Sequence, residues 1–154
     1  LLDILEPESD PEVRETLRYV CTSVDVGRSV DYFDRFRSAA MIIAAADLQG
    51  FTPRAIALVF ATLMQADNEA SHLKTSRAAL LEHDGPVIRK LAILLRLADE
   101  IERRCVPGLP LAVRFRLSDT MLSLDSEVLG AWRPRTLADR FERVFHRQLH
   151  ILTH

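Results

Sequence analysis

Apolar positions recur at intervals of three and four residues through the first hundred residues and then change to strict alternation. Ser9-Asp10-Pro11-Glu12 offers a capping side chain, a first-turn proline and a glutamate three residues after the serine. Val13, Leu17, Val20 and Cys21 follow at helical spacing, so a first helix is predicted here. Gly27 marks a break before a second helix, from about Asp31 to Asp47, with Phe36, Ala40, Ile43 and Ala44 in one stripe. Leu48-Gln49-Gly50 ends that helix, since glycine takes the positive φ that a helix stop favours. Thr52-Pro53 starts a third, in which Ile56, Val59, Phe60 and Leu63 share a face. A short helix is expected over Ser71 to Leu81. A long one follows from Pro86 to about Arg104, turning Ile88, Leu91, Ala92, Leu95, Ala98 and Ile101 inward.

The period then becomes two. Leu111, Val113, Phe115 and Leu117 alternate with Ala112, Arg114 and Arg116. Ser118-Asp119 reads as a turn, and Met121 to Leu124 resumes extended character, which together predict a hairpin. Thr136 is placed to cap a final helix containing Leu137, Phe141, Val144 and Phe145, and Leu149 to Leu152 is expected to add a third strand. The fold class is mainly α (α+β): a helical body followed by a small antiparallel sheet with a C-terminal helix. No repeat, low-complexity tract or linker interrupts the chain, so a single domain spanning 1–154 is expected, with a helical body over 9–105 and an extension over 110–154.

A length of 154 residues and an apolar fraction of 48% are enough for a buried core and exclude a disordered segment. The net charge of −2 gives no global attraction to nucleic acid or anionic lipid, so neither partner is expected. The charge is uneven. Leu1 to Asp34 is acidic, while most arginines come later and Lys74 and Lys90 are the only lysines. Cys21 and Cys105 have no metal-ligating or redox spacing and read as reduced structural thiols. No secretory core opens the chain, and its longest apolar run, Ala39 to Ala46, is too short to span a bilayer. A soluble cytoplasmic protein is expected.

Five motifs fall in a telling order: Val24-Asp25-Val26-Gly27, Arg35-Phe36-Arg37-Ser38, Asp47-Leu48-Gln49-Gly50-Phe51, Leu63-Met64-Gln65-Ala66-Asp67-Asn68 and Leu94-Leu95-Arg96-Leu97-Ala98-Asp99. In this order they resemble the C-terminal domain of the exopolyphosphatase / guanosine pentaphosphate phosphohydrolase family, which is built like the HD-type metal phosphohydrolases. The match runs in register over essentially the whole chain. The resemblance implies an HD-like helical body, and it equates the family's metal-site histidines with Val24, with Arg35 or Phe36, with Ser38 and with Ala66. Valine, phenylalanine and alanine have no lone pairs to give a divalent metal, and Asp25 alone cannot assemble a centre. No metal, cofactor or catalytic residue is therefore assigned. In the family this domain lies beside actin-like ATPase domains and lends basic residues to a polyphosphate channel. By that resemblance, Arg35, Arg37 and Arg96 are the candidates for phosphate contact, through the planar fork that suits arginine to phosphate.

Other chemistry is thinly represented. Glu82-His83-Asp84-Gly85 carries the HD dipeptide, but Asp84 precedes Gly85-Pro86 as a helix cap does, so His83 and Asp84 are expected in a surface loop. His146, His150 and His154 recur every fourth residue but cross from helix into strand, which breaks any imidazole stack. Trp132 reads as a hydrophobic cover near Pro134. Nucleophile elbow, Walker loop, dinucleotide glycine turn and zincin motifs are absent.

The leading expectation is a non-catalytic accessory domain of an exopolyphosphatase-type protein. Its expected partners are polyphosphate or a phosphorylated nucleotide, the parent's actin-like domains and a second copy in a homodimer. One alternative is a purely structural dimerisation module. The other is a diverged metal phosphohydrolase using Asp25, Asp67, His72 and His83.

Overall fold

The computed structural model describes residues 1–67, 79–108 and 112–152. Among them it contains six helices and a three-stranded sheet, mainly α with a small β element: α1 (Leu2–Leu5), α2 (Pro11–Val30), α3 (Arg35–Ala45), α4 (Pro53–Ala66), α5 (Asp84–Glu102), β1 (Arg114–Leu117), β2 (Met121–Asp125), α6 (Arg135–Phe145) and β3 (Gln148–Leu152). No helix among the described residues is long and apolar enough to cross a membrane. The helix expected over Ser71–Leu81 falls mostly outside the described residues. Contacts divide the chain into two compact units, Ser9–Leu95 and a second formed by Leu1–Glu8 with Arg96–His154. The division falls inside α5.

In the Ser9–Leu95 unit, local chemistry sets the helix starts. Asp10 caps α2 by accepting from the Glu12 backbone N–H at 2.8 Å, with Pro11 in the first turn. Thr52 does the same for α4 through Ala55 at 3.1 Å, ahead of Pro53. Helix α4 is sheltered on almost every side, and Ala57 to Val59 and Ala61 to Met64 are all buried. Val20 and Val24 of α2, Phe36, Ala39 and Ala40 of α3, Val59, Leu63, Met64 and Ala66 of α4, and Ala92 and Leu95 of α5 form one apolar cluster.

Gly27 departs from its expected role. It does not break α2, which continues to Val30, but sits buried within the helix at the crossing with α3. A Cβ built there would lie 2.0 Å from the Arg35 carbonyl oxygen and 2.9 Å from the Ala39 nitrogen. The residue is needed for close backbone approach, and the chain turns later, at 31–34. There Asp31 Oδ1 accepts from the Phe33 and Asp34 amides at 2.8 and 3.1 Å.

The second unit carries the sheet, in the order β1-β2-β3. The expected hairpin is present, with Arg114 opposite Asp125 and Leu117 opposite Leu122 in antiparallel register. The third strand differs from the expected antiparallel arrangement. It pairs parallel to β2, with Met121 beside Gln148 and Asp125 beside Leu152, so the sheet is mixed. Helix α6 explains the direction, because a helical crossover returns the chain to the same end of the sheet, where a tight hairpin would reverse it. Leu122, Leu124, Leu129, Phe141, Phe145 and Leu149 are buried in this unit. Phe141 and Phe145 stack at 4.7 Å. Thr136 lies within the first turn of α6 and does not cap it; the cap position is Pro134, without a side-chain bond.

Candidate functional site

Three of the positions that the resemblance equates with metal ligands come together, as hydrocarbon. Val24, Phe36 and Ala66 all belong to the buried cluster of the Ser9–Leu95 unit. Asp25, beside Val24, points outward and pairs with Arg28 at 3.1 Å, while Ser38 is half-buried. Asp67 ends α4 and His83 is exposed. His72 lies outside the described residues, and among those described no three histidine, cysteine or carboxylate groups converge to hold a metal ion. Val24, Phe36 and Ala66 themselves offer no group to polarise a substrate or activate water.

Asp84 corrects the surface-loop expectation. It is the first residue of α5 and fully buried. Both of its oxygens take hydrogen bonds from Arg54, from Nε at 3.2 Å and Nη2 at 2.6 Å, and the Leu81 backbone N–H donates at 2.8 Å. Arg54 Nη1 also donates to Glu12 Oε2. The first turns of α2, α4 and α5 are thereby tied by one guanidinium. Burial alone would push the Asp84 carboxyl up; the Arg54 hydrogen bonds and the Leu81 amide outweigh it and hold the group below its ordinary value. The motif that looked like half a metal site is a structural clasp, and the arginine that makes it one sits thirty residues away in sequence.

The three arginines expected to contact phosphate have different surroundings. Arg35 is 4% exposed: Nη1 donates to the Tyr32 carbonyl at 2.9 Å, and the guanidinium lies 5.5 Å from the Tyr32 ring and 4.9 Å from that of Phe36. It braces the α2–α3 turn from inside. Arg37 is exposed in the first turn of α3. Arg96 is half-buried in the other unit, where Glu100 is approached by three arginines: Arg96 at 3.9 Å, Arg103 at 3.7 Å and Arg104 at 2.7 Å. Arg104 also covers the Trp132 ring at 4.4 Å, so that indole is shielded by a cation.

Two further residues of this unit were not found by sequence reasoning. Arg140 is half-buried on α6. Its burial first, then the neighbouring charges of Arg96 and Arg143, lower its affinity for its proton below the ordinary arginine value. The charges of Arg96, on α5, and of Arg143, on α6, thus both act on Arg140, while Glu100 stands 3.9 Å from Arg96. The signal was available: Arg133, Arg135, Arg140, Arg143 and Arg147 stand against only Asp139 and Glu142 in that stretch. Phe141 and Phe145 turn one face of α6 inward, which leaves Arg143 exposed on the far side and Arg140 half-buried at the flank.

Compared with known proteins, the sequence matches no protein-family model and no curated protein.

Proposed function

We propose that this chain is a non-catalytic accessory domain of an exopolyphosphatase-type phosphohydrolase, serving to bind polyanion and to make oligomer contacts. The reading is supported by the run of arginines on and beside α6, Arg133, Arg135, Arg140, Arg143 and Arg147 against Asp139 and Glu142, with Arg96 among the charges that act on Arg140. A phosphate chain offers closely spaced negative charges, and arginine forks engage its oxygens in pairs while releasing condensed counterions. The apolar filling of the interior supports the non-catalytic half of the proposal, since Val24, Phe36 and Ala66 supply neither nucleophile, base nor ligand. Chemistry would then belong to partner domains of the actin-like ATPase kind, with this domain holding substrate that they cleave. A second copy of the chain is the proposed oligomer partner.

Titration with long-chain polyphosphate at low salt tests the reading, with Arg96→Ala/Arg140→Ala and Arg35→Ala/Arg37→Ala as paired arms. The first pair is expected to weaken binding by about tenfold or more, as loss of two charge-assisted contacts would. The second should weaken it less, because Arg35 is already committed to the Tyr32 turn. Absence of binding by the unaltered chain sinks the polyanion role. A sedimentation profile that stays monomeric across concentration sinks the oligomer role.

A further inference from the structure

We infer that the outer face of α3 pairs, antiparallel and across a two-fold axis, with the same face of a second copy of this chain, which gives the oligomer contact proposed above its surface and rests on that reading. From Ala39 to Ala45 no side chain of α3 is polar. Phe36, Ala39 and Ala40 are buried, and Ile43 packs against the same cluster. The opposite side is just as apolar, yet it faces solvent. Met41 is 57% exposed, and Ala44 and Ala45 are exposed three and four residues further on, a spacing that sets all three on one face. Neighbouring helices follow the ordinary rule: α2 carries a polar stripe outward at Glu15, Arg18, Thr22, Asp25 and Ser29, and α4, also apolar, is sheltered on almost every side. A helix that is apolar all round but covered on one side calls for a second cover.

The face is complementary to itself. Its one long apolar side chain, Met41, is followed by two small ones, so antiparallel packing about a two-fold axis seats each Met41 on Ala44 and Ala45 of the other copy. The charges agree with that direction. Arg37 is exposed one turn before Met41, whereas the last turn of α3 carries no cation and is followed by Ala46 and the exposed Asp47. Antiparallel pairing brings each Arg37 to the C-terminal end of the other α3, where the partial negative charge of the helix and Asp47 attract it. Parallel pairing would set the two Arg37 side chains together. A helix of eleven residues is only about 16 Å long and cannot supply the roughly 800 Å² per partner of a standard stable interface, so the pair is a weak, concentration-dependent dimer.

Sedimentation of the whole chain over about 1–500 μM reads this equilibrium, and the parent is expected to pass from monomer toward dimer within that range. Met41→Glu should raise the dissociation constant about tenfold or more. Charge exchange tests the geometry independently. Arg37→Asp alone and Asp47→Arg alone should each weaken self-association, since a symmetric pair then holds two like-charge contacts. An equimolar mixture of these two variants should recover it, because both contacts become attractive, and loss of folding could not be repaired by mixing. A dimer indifferent to Met41→Glu, or a mixture that associates no better than its components, overturns the α3 interface and leaves the oligomer role to another surface. A chain that stays monomeric throughout overturns both.

Discussion

Replacing Asp84 exposes how much of the helical unit depends on one buried carboxylate. Asp84→Ala removes the acceptor of two Arg54 hydrogen bonds and of the Leu81 amide, all in a fully buried position. Breaking a buried ion pair by deleting one partner costs about 3–5 kcal/mol when the other charge is stranded. Arg54 is not wholly stranded, since a quarter of its side chain reaches solvent and Glu12 remains as an acceptor, so the cost falls below that range, to about 2–3 kcal/mol. For a chain of this length that is a fall in Tm of about 5–10 °C. Asp84→Asn keeps the volume and one acceptor while removing the charge, and should cost roughly half as much.

The pH dependence gives an independent check. A carboxyl whose folded value lies below its ordinary 3.8 adds stability that is complete above that value and is lost as pH falls through the lowered one. Urea unfolding of the parent and of both variants at neutral pH and at steps down toward pH 3 should therefore show curves that converge in acid. An Asp84→Ala protein within about 0.5 kcal/mol of the parent at neutral pH would refute the clasp, since that is the range of an ordinary surface change. So would a difference that does not change down to pH 3.

Gly27→Ala should destabilise by about 1–3 kcal/mol, because overlap with the α3 backbone outweighs the roughly 1 kcal/mol that alanine gains within a helix; denaturant midpoints equal to or above the parent's would contradict this. Val24→His places an imidazole in an apolar cluster and should cost about 2–4 kcal/mol, read by thermal unfolding; an unchanged Tm would mean that the pocket still accommodates a ligand-type side chain. Phe33→Ser should leave stability within about 0.5 kcal/mol of the parent, since the ring is almost entirely in solvent, and calorimetry that shows a larger loss would place that ring in the fold's support.

What the sequence revealed was mostly local. Asp10-Pro11 and Thr52-Pro53 announce helix starts because a cap needs only its own first turn, and the alternation from Val113 to Leu124 announces a hairpin because the turn at Ser118 lies between its strands. The misreadings came from contacts distant in sequence. Gly27 looks like a helix breaker until α3 arrives against it, and Asp84 looks like a loop residue until Arg54 encloses it. The direction of β3 depends on the return path through α6, which strand periodicity does not encode. Of the proposed phosphate contacts, Arg96 was singled out from its motif, whereas Arg140 and Arg143 drew attention only once α6 was seen to turn its two phenylalanines inward. Arg35 shows the opposite difficulty, because a cation in a motif carries no label saying that aromatic rings cover it.

The proposed accessory, polyanion-holding role meets its most direct test in the salt dependence of polyphosphate affinity, compared between the parent chain and Arg96→Ala/Arg140→Ala/Arg143→Ala. Binding by the parent should weaken linearly in log–log form as salt rises, and the triple variant should bind more weakly, with a slope shallower by roughly two to three, about one per lost cation contact. Identical affinity and slope in the two proteins would contradict the assignment of phosphate contact to this arginine group.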